Sequence, residues 1–476
     1  MADSNATAHE GITLGRHYDD ATHHIGEKVV YEGERHLLLF GPNGTGKGTR
    51  FLIPNLLSIN NRSLLVIDPK GELAAVTAAH RHKAGNDVKI LDPFGKLHEA
   101  VKDSADHRYL IEHGLTTSAG YNPLALLDPA SPKSFYDDAA ALGEALIKIE
   151  GKDPHWGESA QGLLVALIMW EKIKYGDEAN LENVRALLTQ ADESDRVVDK
   201  KGKATDELVK GLAVTAADMV LDGGYEIASL AARFTEKSNE MASVRSTADT
   251  QTRWILSPPM RADLKKADGV DFRKLKEKPT TVYVILPADR MRTHSVWLRL
   301  VVVSALRALY RPGGLRTLLL IDEMPALGHL GPLEDAFGLV RGYKVQIAGI
   351  CQDLNQLKAL YKERWESFLA NAGVVQGFTP NDLTTAKWMS ERAGQATMLA
   401  PSSSESRSPK GERSETTGWS QFGRPLYLPQ ELMGFAEGTG LLFLAGMANG
   451  VRFFAPPYWK IEQAKARAAR NPYFDT

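Results

Sequence analysis

Residues 41–49 read Gly41-Pro42-Asn43-Gly44-Thr45-Gly46-Lys47-Gly48-Thr49. The spacing G-x-x-x-x-G-K is that of a phosphate-binding loop, in which glycines let backbone N–H groups approach the phosphates and the lysine reaches the β and γ positions. The surroundings support this reading. His36 to Phe40 (HLLLF) is a short apolar run suited to a strand buried on both faces, and Thr49 to Leu57 continues as a helix. Strand, loop and helix together place bound phosphates at a positive helix end. One position departs from the rule: Gly48 stands where a serine or threonine usually holds magnesium, so Thr49 is the nearest candidate hydroxyl.

A phosphate loop implies a second, acidic element. Leu318 to Gly328 (LLLIDEMPALG) supplies it as an apolar strand ending in two carboxylates. This is the Walker B arrangement, with Asp322 orienting magnesium through its water shell and Glu323 polarising the attacking water. The cofactors expected are therefore ATP and Mg2+. A solvated carboxylate pair at a strand end is the plainer alternative, made less favourable by the phosphate loop in the same chain. Arg341 (in VRGYKVQ) and Gln352 (in IAGICQDLNQL) follow downstream. Gln352 comes after a buried strand and so shares the sheet edge of the phosphates, where it can sense the γ phosphate or place water. Taken alone, either residue is more often an ordinary surface or helix-capping side chain, and spacing does not decide between the roles.

Buried strand runs recur at Ser63 to Ile67, Val88 to Leu91, Val282 to Leu286, Thr317 to Ile321, Val345 to Ile350, Gly373 to Phe378 and Leu441 to Leu444. Most are separated by helix-length segments, which predicts an α/β fold with a mainly parallel central sheet and ligands beyond the strands' carboxyl ends. Between about Pro123 and Ser257 strand runs vanish and amphipathic patterns such as AAALGEALIKI take over. We expect an inserted all-α domain over 123–257, dividing the nucleotide-binding domain into 1–122 and 258–476. Trp156 and its apolar neighbours read as the core of that insertion. Pro401 to Gly418 (PSSSESRSPKGERSETTG) is serine- and charge-rich with no apolar residue, and is expected to be a mobile loop.

The 476 residues exceed roughly 100–200 per domain, so two packed regions or one large elaborated domain are expected. With 43% hydrophobic and 24% charged residues, the chain is of ordinary globular composition. A net charge of −2 provides no global basic field, leaving any nucleic-acid contact to a local basic channel. The single Cys351 rules out an internal disulfide framework and suits a reducing compartment. The longest uninterrupted apolar run, GLLVALIMW at 162–170, is far shorter than the roughly 20 residues needed to cross a bilayer. The polar N-terminus does not read as a signal peptide.

Taken in order, GPNGTGKGTRFLIPNLL, DPKGE, LLLIDEMPALG, GICQDLNQL, FTPNDLTTAKWMSERAG and RPLYLPQEL resemble the type IV coupling proteins of conjugation and type IV secretion, the TraG/TraD-like class. The resemblance runs from about residue 30 to 445. It implies a RecA-like P-loop NTPase carrying an all-α domain, assembled as a homo-hexamer at the cytoplasmic face of the bacterial inner membrane. Such proteins hydrolyse ATP to deliver a relaxase-bound single DNA strand, or protein substrates, into the secretion channel. By position, Lys47 is then the Walker A lysine, Asp322 and Glu323 the Walker B pair, Gln352 the γ-phosphate sensor and Arg341 the arginine finger for an adjacent subunit. Typical members begin with a transmembrane anchor, and the expectation here is a chain without one. Two other readings share these motifs: an FtsK/HerA-type duplex translocase, and a non-hydrolysing scaffold that uses nucleotide only for assembly.

Overall fold

Five consecutive buried residues, His36–Phe40, form the strand that precedes the phosphate loop. The computed structural model describes residues 11–149, 154–198, 204–266, 268–407 and 413–474. By its contacts the chain separates into two units, one of Leu56–Ala348 with Gln463–Thr476 and one of Glu10–Asn55 with Gly349–Glu462. This division runs elsewhere than the expected one, because the span 123–257 stays with the strand that carries Asp322 and Glu323. The strand Val345–Cys351 passes along the chain from one unit to the other.

In the first unit, strands are ordered Asp87–Leu91, Thr280–Val284, Ser63–Ile67, Thr317–Ile321, and every pairing is parallel. Three of the four are buried at every position, as their near-continuous apolar sequences require of strands covered on both faces. Helices Glu72–Lys83 and Ala288–Leu309 are among the cover. Two strand ends repeat one device. After Ile67 and after Leu91 comes Asp-Pro-x-Gly, in which the aspartate carboxylate accepts an N–H from the following helix: Ala74 to Asp68 at 2.9 Å and Leu97 to Asp92 at 2.8 Å. Gly71 and Gly95 both lie in the left-handed region that the turn demands (φ 73° and 66°).

The span 123–257 is largely helical, with Phe135–Leu146, His155–Tyr175, Leu181–Thr189, Leu212–Asp222, Gly224–Ala231 and Asn239–Thr252. The expectation of helix alone is corrected by one antiparallel pair, Glu193–Val198 with Ala204–Lys210. Those segments are charged, with no apolar run, so periodicity offered nothing to detect. Trp156 is 37% exposed, whereas Leu163 to Trp170 are buried. The expected core role of Trp156 is thus corrected: it is the second residue of its helix, before the buried stretch begins.

The second unit orders its strands Ile25–Tyr31, Ile12–Tyr18, Val451–Phe454, Thr439–Leu444, Ala372–Phe378, His36–Phe40, and only the last pair is parallel. Asn55 is wholly buried and ties the helix after the loop to this sheet: Thr13 N–H donates to its Oδ1 at 2.8 Å, and its Nδ2 donates to the carbonyls of Thr13 and Phe51. The serine-rich stretch 401–418, expected as an irregular loop, belongs to a long hairpin of Gln395–Arg407 with Arg413–Pro425, and residues 408–412 lie outside the described residues. A two-stranded ribbon needs no core face, so its strands need no apolar alternation.

Candidate nucleotide site

The loop Gly41–Thr49 leaves its strand with Gly41 N–H donating to the Cys351 carbonyl at 3.2 Å. That bond sets the loop beside the end of Val345–Cys351, and so brings Gln352 next to it in the same unit. Gly44 and Gly46 have φ of 86° and 82°, a conformation L side chains rarely adopt. At Gly46 a Cβ would also stand 2.7 Å from the Arg50 guanidinium nitrogen, and at Gly41 one would stand 2.8 Å from Thr45 Oγ1. Gly48 differs, since its φ is not positive and a Cβ there would meet nothing within 4 Å. The missing hydroxyl is therefore not a steric requirement of the loop.

Lys47 is 9% exposed, and its Nζ donates to the carbonyls of Gly41 and, at 3.3 Å, Pro42. Its ammonium thus lies within the turn that its own helix closes. Thr49 Oγ1 donates to Gly46 O at 3.3 Å, and Thr45 Oγ1 to Pro42 O at 2.8 Å. The helix starts at Lys47 with wide turns through Leu52 and continues as an α-helix from Ile53 to Ser58. Gln352 N–H donates to Gln356 Oε1 at 2.9 Å, and Asp353 caps the next helix by accepting from Gln356 N at 3.0 Å.

The first unit holds the acidic residues. Asp322 and Glu323 follow the fully buried strand Thr317–Ile321, and Glu323 sits at φ 59°, ψ 51°. A non-glycine residue held left-handed at a strand's carboxyl end costs of order 1 kcal/mol and is a mark of functional sites. Ile67 pairs with Ile321 across parallel strands, so Asp68 emerges beside Asp322. Burial, then the charges of Asp322 and Glu72, push the Asp68 carboxyl up to about 7 against the N–H groups of Ala74 and Leu73. Burial is the leading cause and the Asp322 charge adds to it; two adjoining carboxylates are a charge arrangement that a divalent cation relieves, so the acidic set fits Mg2+. In the sequence Asp68 is visible only as the first residue of DPKGE, after the strand run Ser63 to Ile67. Its neighbour across the sheet is a matter of register, invisible until the strands are paired. Arg341 is exposed, in the short turn Val340–Tyr343 of the same unit.

Arg299 is visible in sequence only as a charge that interrupts the apolar run WLRLVVVSALRALY. On helix Ala288–Leu309, 3% exposed, it donates to Ala145 O and Leu327 O at 3.0 Å each, to Glu144 O at 3.2 Å and to His329 O. One guanidinium thus joins the helical span to the turn that follows Glu323.

The model of the family described as Type IV secretory system Conjugative DNA transfer matches residues 3–103 and 112–474. Among curated proteins, the chain is 28% identical over 481 residues to the conjugal transfer protein TraG of Escherichia coli, covering 92% of this chain and 69% of that one. To TraG of Rhizobium radiobacter it is 26% identical, covering 87% and 60%. To the type IV secretion system-coupling protein VirD4 of Bartonella quintana it is 26% identical, covering 93% and 65%. The chain thus spans some three fifths to two thirds of the length of these relatives. Among solved structures, the bacterial conjugative coupling protein TrwBdeltaN70 in its unbound monoclinic form superposes with a TM-score of 0.61 at 16% identity, over 89% of this chain and 85% of that one. The plasmid coupling protein TrwB in complex with a non-hydrolysable ATP analogue superposes at 0.62 and 16% identity, over 89% and 86%. The fold is accordingly α/β, that of a RecA-like P-loop NTPase.

Proposed function

The chain belongs to the type IV secretory system conjugative DNA transfer family, and from that premise we propose that it is an ATP-hydrolysing coupling protein. In this reading it drives a relaxase-bound single DNA strand, protein substrates, or both, into a type IV secretion channel. The observation that carries the reading is the loop itself: left-handed Gly44 and Gly46, the buried Lys47 and the helix that starts there form a cradle for phosphates. Lys47 and the backbone of Gly41, Pro42, Asn43, Gly44, Thr45, Gly46, Gly48 and Thr49 hold the nucleotide. Asp322 orients the metal with Thr49 as the additional hydroxyl, Glu323 takes the proton of the attacking water, and Gln352 senses the γ phosphate. Bound Mg2+ supplies charge neutralisation for the phosphates as the terminal one departs.

Arg341 acts in trans, which makes a homo-hexameric ring the working state. The helical span 123–257 is the insertion that faces the relaxosome, and the remainder is the motor. No helix of the described residues is long and apolar enough to cross a membrane, and in this reading the protein works at the cytoplasmic face of the inner membrane with channel components as partners. Calorimetric titration with an ATP analogue tests the nucleotide step. Wild type binds and Lys47→Ala loses at least tenfold in affinity; equal binding by the two would overturn the assignment.

A further inference from the structure

A chain with net charge −2 concentrates positive charge at one place in its first unit. Where the end of the helical span meets the start of helix Ala288–Leu309 there is a cavity of about 510 Å³, within the roughly 300–1,000 Å³ of small-ligand sites. Lys148, Arg253 and Arg292 line it together with hydroxyl and amide side chains, and no carboxylate is among its described lining residues. Of the three, Arg253 is paired with Asp249 at 2.9 Å, a carboxylate that Arg185 also holds at 2.6 Å.

The wall is held in place. Gln251 accepts from Lys148 N and donates to Lys148 O, both at 2.8 Å, and Lys148 Nζ donates to Ser295 Oγ at 2.9 Å. The two sides of the cavity are thereby bridged. Trp254 and His294 also line it at 6% and 8% exposure, and each carries a buried ring nitrogen with no partner among the described residues. Burying an unpaired donor costs about 1–3 kcal/mol. The indole Nε1 of Trp254 is a donor in every state, and beside these cations it is unused polar capacity of the sign an anion satisfies.

We infer that this cavity binds the phosphate backbone of a single-stranded nucleic acid, with Arg292 and Lys148 as its principal contacts. The inference rests on the proposed function and deepens it, placing a strand contact at the base of the helical span. It reads charge ahead of bases, because cations and hydroxyls match phosphate oxygens, which carry no sequence information.

The test is fluorescence anisotropy of a labelled oligothymidylate against the full chain, across a range of salt. Arg292→Glu weakens binding about tenfold, the effect of losing a charged hydrogen bond and opposing the next phosphate. Arg292→Ala lowers the slope of log K against log salt by about 0.7, one phosphate contact on a single strand. Lys274→Ala, an exposed lysine away from the cavity, leaves both unchanged, and all three variants keep DNA-independent ATP hydrolysis. Wild-type affinity and slope in Arg292→Glu would overturn the inference while leaving the coupling function standing. Arg292-dependent binding of inorganic pyrophosphate, with oligonucleotide affinity insensitive to Arg292, would overturn the strand assignment in favour of a small phosphate ligand. No oligonucleotide binding by wild type would overturn the inference together with the DNA-delivering form of the proposed function.

Discussion

Asp68 and Asp322 leave neighbouring parallel strands at the same level, because Ile67 is paired with Ile321. Each carboxylate is thus part of the other's environment, and the 1% exposure of Asp68 leaves water little room to screen them. Replacing one should relieve the other. Asp322→Asn is expected to raise thermal stability in EDTA by an amount of order 1 kcal/mol, a shift of a few degrees in Tm. It should abolish Mg2+-dependent hydrolysis. A melting curve unchanged in EDTA would contradict the electrostatic account.

The loop glycines are not equivalent. Gly46→Ala forces a side chain into a left-handed residue 2.7 Å from Arg50, and should cost about 1–2 kcal/mol together with nucleotide affinity. Gly48→Ser enters open space and should fold at least as well as wild type, since serine is favoured over glycine within a helix by about 0.5 kcal/mol. Differential scanning fluorimetry with and without nucleotide distinguishes the two. Equal destabilisation by both would count against the geometry of the loop.

Arg299 satisfies four carbonyls, at Ala145, Leu327, Glu144 and His329. Arg299→Met keeps the volume and removes every donor, leaving the two buried acceptors at Ala145 and Leu327 short of partners at a cost of about 2 kcal/mol or more. Urea denaturation should show the loss. Because the guanidinium joins the helical span to the turn after Glu323, DNA stimulation of hydrolysis should also fall in this variant at temperatures where it remains folded.

Burial raises the Asp263 carboxyl to about 6 from 3.8, with Asp92 adding to the rise while the Ser118 hydroxyl and Lys266 oppose it. Between about pH 4 and pH 6 the folded chain holds a proton that the unfolded chain has released. Stability contributed by this group therefore falls as pH rises through that window, by about 3 kcal/mol, and is level above it. Asp263→Asn should flatten that part of the profile measured by denaturant midpoints at pH 4.5 to 7. An identical slope in wild type and variant would show that Asp263 is not the group responsible.

Much of the α/β fold was legible because buried parallel strands write themselves as apolar runs. Thr317–Ile321 and Ser63–Ile67 stand where the sequence places them, and the helix after Lys47 follows its loop. What escaped shares a physical cause. The strands Ile12–Tyr18, Ile25–Tyr31 and Val451–Phe454 are part-exposed and mix charge with β-branched residues, so no single face dominates their pattern. The ribbon Gln395–Arg407 with Arg413–Pro425 is held by backbone pairing and reads as a polar loop. Asp68 and Arg299 were visible as residue types, but their meaning lies in register and in carbonyls far along the chain.

The central claim is that this chain hydrolyses ATP in a ring whose members complete one another's sites. Phosphate release per protomer, measured against protein concentration with and without single-stranded DNA, tests it most directly. Wild type should show a steep rise with concentration that DNA enhances, while Glu323→Gln and Arg341→Ala stay at background. Release proportional to concentration throughout, or wild-type activity in Glu323→Gln, would contradict the account.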